Sequence, residues 1–182
     1  MVRTENHPDN AAASVFGGLR VGGRGPAGDW YSWPGVLSGW GVRLLLVIPR
    51  IPIATDQARS LLPTSYSRSA SVQNLQCLAV LLSGLARGDW EAVRRGLRDH
   101  LHEPYRLPLV PGLKEALTAL REHPSTGGAY LSGAGPTRAA FRPDPAAGPQ
   151  TAGEALRILK DLGTDAEVQI AALEERGIRV ET

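Results

Sequence analysis

The residues best equipped for chemistry in this chain of 182 form two small constellations. Near the start, His7, Asp9 and Asn10 stand together in His7-Pro8-Asp9-Asn10, directly ahead of Ala11, Ala12 and Ala13. Asp9 or Asn10 is suited to cap a helix whose interior those alanines would form. In the plainer reading His7 is simply exposed beside that cap. In the other, the cluster meets a small polar or anionic substrate at the positive end of the helix. A carboxylate there orients or deprotonates a hydroxyl, whereas the amide of Asn10 only hydrogen bonds. The second constellation is Ala129-Tyr130-Leu131-Ser132-Gly133-Ala134-Gly135-Pro136-Thr137, an apolar strand that breaks into a small-residue turn. Ser132, Gly133, Ala134 and Gly135 make either a plain strand-turn-strand connection or a nest of backbone N–H groups that accepts an anion.

Two arginines add to these. Arg59 follows a helix start and precedes two leucines, the setting of a solvated helix residue. Arg106 lies between Pro104 and Pro108, where a rigid turn can aim its planar fork at a carboxylate. His100 and His102 are two residues apart and would leave a helix on different faces, which argues against a metal pair; no metal site is expected. The sequence contains no HExxH, no GxxxxGK[ST] and no GxSxG.

Composition sets the frame. Apolar residues make up 42% and charged residues 21%, as in soluble globular chains, and a net charge of +2 gives no reason to expect nucleic acid. The single cysteine, Cys77, excludes an internal disulfide and a cysteine zinc cluster, and its apolar neighbours suggest a buried thiol. No apolar run reaches membrane-spanning length, Leu44 to Ile48 being strand-sized, and the start lacks the apolar core of a signal peptide. A cytoplasmic protein with no membrane contact is expected. A dense polar motif within the first ten residues suggests a chain missing its beginning.

The elements that must position these residues read as follows. Asp9 to Val15 forms a helix closed by Gly17-Gly18, and Leu19-Arg20-Val21 a short strand. Gly22 to Gly41 is a glycine-rich connection carrying Trp30, Trp33 and Trp40, a loop or hairpin packed on a sheet. Val42 to Ile48 is a central-type strand. Helices follow at Thr55 to Leu61, at Ser69 to Ala86 and at Trp90 to Leu101. The second of these turns Val72, Leu75, Leu78, Ala79, Leu82 and Leu85 inward. His102 to Arg106 is a polar turn. Leu113 to Glu122 is a helix burying Leu113, Ala116, Leu117 and Leu120. Strands flank the glycine turn, Thr151 to Leu162 is helical, and Ala166 to Ile170 and Ile178 to Val180 are the last strands. The order implies an α+β sandwich with helices on a mostly antiparallel sheet.

Taken jointly, four segments resemble the homoserine kinase family of the GHMP kinase superfamily: HPDNAAASVFGGL (7–19), VIPRIPIATDQARSLLP (47–63), LHEPYRLPLVPG (101–112) and AYLSGAGPT (129–137). The resemblance implies the C-terminal sandwich of that superfamily over residues 42–182, with residues 1–22 as the last helix and strand of a preceding domain. It implies transfer of a phosphoryl group from ATP, with Mg2+, to the hydroxyl of L-homoserine in threonine biosynthesis. By motif, His7, Asp9 and Asn10 would hold the amino acid, with Asp9 and Asn10 nearest the reacting hydroxyl. Arg59 and Arg106 would meet its carboxylate, and Ser132 to Gly135 would support the substrate and phosphate region. A homodimer is compatible with this. Arg50 and His100 depart from the family pattern, and a PxxxGLGSSA phosphate loop is absent. The expectation is therefore a C-terminal portion lacking its ATP half and inert alone, with a non-catalytic amino-acid-binding or interaction module as the alternative.

Overall fold

We describe a computed structural model of the chain, over residues 8–37, 41–51, 53, 55–142 and 148–179. The chain divides into two units, one of residues up to Gly41 together with those from Leu173 onward, the other Val42–Ala172.

In the first unit, α1 (Pro8–Phe16) ends where Gly17 and Gly18 adopt left-handed conformations, φ 71° and 66°. Arg20 closes the end, donating from Nη2 to Phe16 O (2.7 Å) and from Nε to Gly17 O (2.8 Å). The glycine-rich stretch is not a bare connection. Gly22 and Gly23 lie inside β1 (Arg20–Arg24), which pairs antiparallel with β2 (Trp30–Pro34), placing Val21 opposite Trp33. This hairpin is a two-stranded sheet of its own, and Trp33 is exposed. Gly22 permits the pairing, because a Cβ there would collide with Tyr31 O. Trp40 lies outside the described residues. The strand expected at Ile178 to Val180 is absent at residues 178 and 179. Ile178 instead donates its N–H to Val15 O (3.2 Å), and Val180 lies outside the described residues.

The second unit is built on a four-stranded antiparallel sheet in the order β4-β5-β3-β6, formed by β3 (Arg43–Pro49), β4 (Ala129–Leu131), β5 (Arg138–Arg142) and β6 (Ala166–Ala172). Leu45 and Val47 of β3 point to one face and are fully buried. That face is covered by α6 (Leu113–Glu122) through Ala116, Leu117 and Leu120, and by α7 (Gly148–Asp161) through Ala152, Ala155 and Leu159. Ala129 and Ala140 carry little bulk at this layer, so the helices close onto the sheet. The buried set of α6 is the one its 3.6-residue period implies.

Before α6 come α2 (Thr55–Ser60), α3 (Arg68–Arg87) and α4 (Trp90–Gly96). The expected inward stripe of α3 is corrected. Val72, Leu75, Leu78 and Ala79 are exposed and Leu82 is half-buried; of the expected set Leu85 is buried, together with Gly84. The cause is backbone approach to α4, since a Cβ on Gly84 would stand 2.8 Å from Val93 N and one on Gly96 would collide with Leu81 N. The face turned to α4 is therefore set by the close approach at Gly84 and Gly96, with Leu81 and Leu85 beside them. The length expected of α4 is also corrected, to Gly96. Asp99 folds back and accepts the N–H groups of Leu101 (2.7 Å) and His102 (3.0 Å), a local bond that competes with continued helix. By length and composition alone α3 is long and apolar enough to span a membrane, more than the sequence reading allowed. Here it caps itself with Ser67 and packs on α4.

Candidate functional site

The segment expected to be an irregular polar turn is one helical turn, α5 (Glu103–Arg106), running into a 3-10 turn at Leu107–Leu109. Pro104 suits the first turn, where its missing N–H leaves no bond unmade. Glu103 fixes the turn in place. Its buried carboxylate receives Arg121 Nη2 at 2.9 Å (Oε1) and 2.8 Å (Oε2), and Leu131 N at 3.3 Å. Arg121 also donates from Nη2 to Leu97 O (2.9 Å) and from Nε to Ala129 O (2.9 Å). One guanidinium thus ties α5, α6, the segment after α4 and β4 together.

That fixture sets the aim of Arg106 at the end of α5. Its Nη1 donates to Gly133 O (3.0 Å) in the glycine turn, while its buried Nε has no partner among the described residues. The turn itself is closed by Ser132 N to Thr137 O (2.8 Å) and Gly135 N to Ser132 O (2.9 Å). Gly135 must be glycine on two counts. Its φ is 84°, and a Cβ would stand 3.1 Å from Leu131 Cδ1. The N–H groups of Gly133 and Ala134 carry no backbone hydrogen bond among the described residues. A guanidinium with a free edge beside two unengaged amides is chemistry for an anion.

The other expected site residues are distributed as follows. Asp9 and Asn10 belong to the first turn of α1, in the first unit, and their side chains lie outside the description, as does His7 altogether. Arg59 is exposed on α2. His100 Nε2 lies 3.9 Å from Cys77 Sγ, which is half-buried rather than buried. His102 Nδ1 lies 3.2 Å from Asp99 Oδ2. Burial alone would push the Asp99 carboxyl up, but the two backbone N–H bonds and the charge and ring of His102 outweigh it and hold it below 3.8. Three residues escaped the sequence reading: Glu103, Arg121 and Arg138. Glu103 stood inside a quoted motif, but nothing in its spacing pairs it with Arg121, and Arg138 is a charged residue in a strand buried on both faces.

Residues 81–163 match the family model described as GHMP kinases C terminal. The chain is 39% identical over 139 residues to the homoserine kinase of Deinococcus radiodurans, covering 76% of this chain and 44% of that protein. It is 34% identical over 186 residues to the homoserine kinase of Synechocystis, covering 98% of this chain and 57% of that protein. The chain spans about half the length of the curated relatives it matches. In fold it is similar to the crystal structure of homoserine kinase from Cytophaga hutchinsonii, with a TM-score of 0.83 at 23% identity over 94% of this chain and 53% of that one. The α+β architecture with antiparallel sheets expected from the sequence is the one observed.

Proposed function

We propose that the chain, whose residues 81–163 match the family model described as GHMP kinases C terminal, is the amino-acid-binding, C-terminal portion of a homoserine kinase. The observation that carries this reading is Arg106, held against Gly133 O with its Nε unengaged, in a chain whose relatives bear that name. The free edge of the fork suits the carboxylate of a small amino acid. Asp9, Asn10 and His7 suit the ammonium and hydroxyl, with Asp9 orienting the hydroxyl. Arg59 is the weaker carboxylate partner, being exposed. On this reading residues 1–22 are the tail of the preceding domain and 42–182 the kinase domain. The larger unit starts at Val42, which supports that boundary, and ends at Ala172 rather than at 182. A cytoplasmic place in threonine biosynthesis follows from the activity, and a homodimer is compatible with it.

ATP supplies the phosphoryl group in such a reaction, which runs largely on positioning and charge stabilisation. Among the described residues no group of three His, Cys, Asp or Glu is placed to hold a metal; Mg2+ in such a reaction is held by one or two carboxylates together with the phosphates of ATP. The sequence also lacks a PxxxGLGSSA segment. The chain's own contribution is therefore to bind and orient the amino acid. The second reading is a non-catalytic amino-acid-binding module, which Arg106 against the turn at Ser132 to Gly135 would serve without a nucleotide.

The test is ATP-dependent phosphorylation of L-homoserine by this chain, and by the chain extended with its upstream in-frame coding sequence. The expected result is no turnover by the first, turnover by the second, and loss in the second on Arg106→Ala. Turnover by neither, with calorimetric binding of L-homoserine to the chain, supports the binding module. Binding of no amino acid overturns both readings.

A further inference from the structure

The apolar stripe expected on α3 exists, but it faces away from α4. Val72, Leu75, Ala79, Leu82 and Ala86 recur at spacings of three and four residues, the seam pattern of a helix that packs along another helix. The other side of α3 is occupied. Asn74 Oδ1 accepts the N–H of His100 (3.0 Å), and Cys77 Sγ lies 3.9 Å from His100 Nε2. A Cβ on Gly96 would collide with Leu81 N, and Gly84 and Leu85 are buried. At about 100° per residue the seam stands roughly 150° around the helix from that set. Val72, Leu75, Ala79 and Ala86 are exposed, Leu75 to 66%, and Leu82 is half-buried.

We propose that this seam is a contact between two copies of the chain, their α3 helices crossing antiparallel on a twofold axis at Ala79. The chemistry of the surface selects the partner. Between Arg68 and Arg87 the helix has no charged residue, so a charged partner would lose its hydration there and gain no counter-charge. A helix that lies in a lipid surface uses basic residues on its polar face and aromatic residues on the other; α3 has no lysine and no aromatic residue, and its polar side is held by His100. What fits is an uncharged apolar helix of equal length. Among the described residues α3 is the one helix of that length and apolarity.

The seam is also complementary to itself, as a twofold contact requires. With the axis at Ala79, Val72 falls opposite the partner's Ala86, Leu75 beside the partner's Leu82, and Ala79 against the partner's Ala79. Bulk meets a gap at the ends, and small residues let the backbones approach at the centre. Arg87 falls opposite the partner's Ser71, and Arg68 beyond the end of the partner's helix, so no cation faces another. Centring the pair on the helix midpoint would instead set Arg68 against the partner's Arg87. A seam about 30 Å by 10 Å falls short of the roughly 800 Å² per partner of a standard interface, so the dimer is reversible and depends on concentration.

The experiment is sedimentation equilibrium of the 182-residue chain and its Leu75→Glu variant, with disulfide cross-linking in a Cys77→Ser background. The wild type is expected to pass from monomer to dimer as its concentration rises. Leu75→Glu is expected to weaken association about tenfold or more, while its melting midpoint as a monomer stays within about 2 °C of the wild type. Under mild oxidation Ala79→Cys is expected to link two chains, because residues meeting on the axis lie within disulfide reach, and Gln73→Cys, off the seam, is not. This pair reads the geometry without adding a charge. A wild type monomeric at every concentration, a dimer indifferent to Leu75→Glu, or linkage at Gln73→Cys in place of Ala79→Cys would overturn the contact. So would a monomeric wild type that sediments with phosphatidylcholine vesicles. A chain extended with its upstream in-frame sequence that is monomeric and shields Ala79→Cys from a thiol reagent would assign the seam to that upstream part, and would overturn the proposal equally.

Discussion

Replacing Glu103 by alanine should be the most damaging single change near the candidate site. The carboxylate and its Arg121 partner are only 7% and 10% exposed in their side chains, so solvent screens the pair little. Removing the acid leaves the guanidinium with Leu97 O and Ala129 O but no negative charge, and leaves Leu131 N without the side-chain acceptor it has on Glu103. Breaking one side of a buried pair typically costs about 3–5 kcal/mol. At about 2–4 °C per kcal/mol for a chain of this size, the melting midpoint should fall by roughly 6–20 °C. The internal control is Glu91→Ala, which removes the exposed partner of Arg95 (2.9 Å) and should cost no more than about 0.5 kcal/mol. The paired change Glu103→Leu with Arg121→Met should cost less than the sum of its singles, because no charge is stranded. Thermal melts and urea unfolding followed by circular dichroism measure the wild type and all five variants. Calorimetry with L-homoserine adds the functional readout, since losing Glu103 frees α5 and with it the aim of Arg106. A Glu103→Ala loss no larger than that of Glu91→Ala would refute the reasoning.

Two further outcomes follow from named contacts. The Asp99 carboxyl is held below its ordinary value, so its stabilisation is full above the unfolded value of 3.8 and disappears as pH falls through the folded value. Asp99→Asn should therefore be less stable than the wild type at pH 7, with the gap closing in melts below about pH 4; a gap constant with pH would show that the charge contributes nothing. Gly135→Ala should destabilise by about 1–2 kcal/mol, from left-handed strain together with the approach to Leu131. Gly133→Ala, with φ 56° but open space around its Cβ, should cost less in the same urea titration; the reverse order would mean the turn is held by something other than its backbone angles.

What the sequence conveyed depended on how one-sided its signals were. In α6 the apolar residues fall on one stripe and polar ones fill the rest, so the period names the buried set without ambiguity. In α3 apolar residues surround the helix, and period alone cannot choose between a leucine face and one marked by Gly84. The choice is made by α4, which needs close backbone approach. The turn at Ser132 to Gly135 was visible because glycines between an apolar strand and a proline have few other uses. Arg106 was visible because two prolines framed it. Its acceptor was not, because Gly133 offers a carbonyl that every residue possesses. Glu103 with Arg121, and the full burial of Arg138 between β3 and β4, are relations between residues distant in the chain or in the sheet. Composition and spacing hold no record of them. Arg59 read as a plausible clamp by motif, and as a solvated helix arginine by its neighbours; its exposure agrees with the second.

The outward side of α3 has a consequence for how the protein behaves in different salts. Between Arg68 and Arg87 the helix carries no charged residue, and Val72, Leu75, Leu78 and Val80 stand exposed along it. Association through such a surface has no Coulomb component for counterions to screen, so raising sodium chloride should leave it nearly unchanged. Sulfate, which is excluded from apolar surface, should strengthen it instead. Ionic strength and salt identity, usually confounded, act separately on this helix.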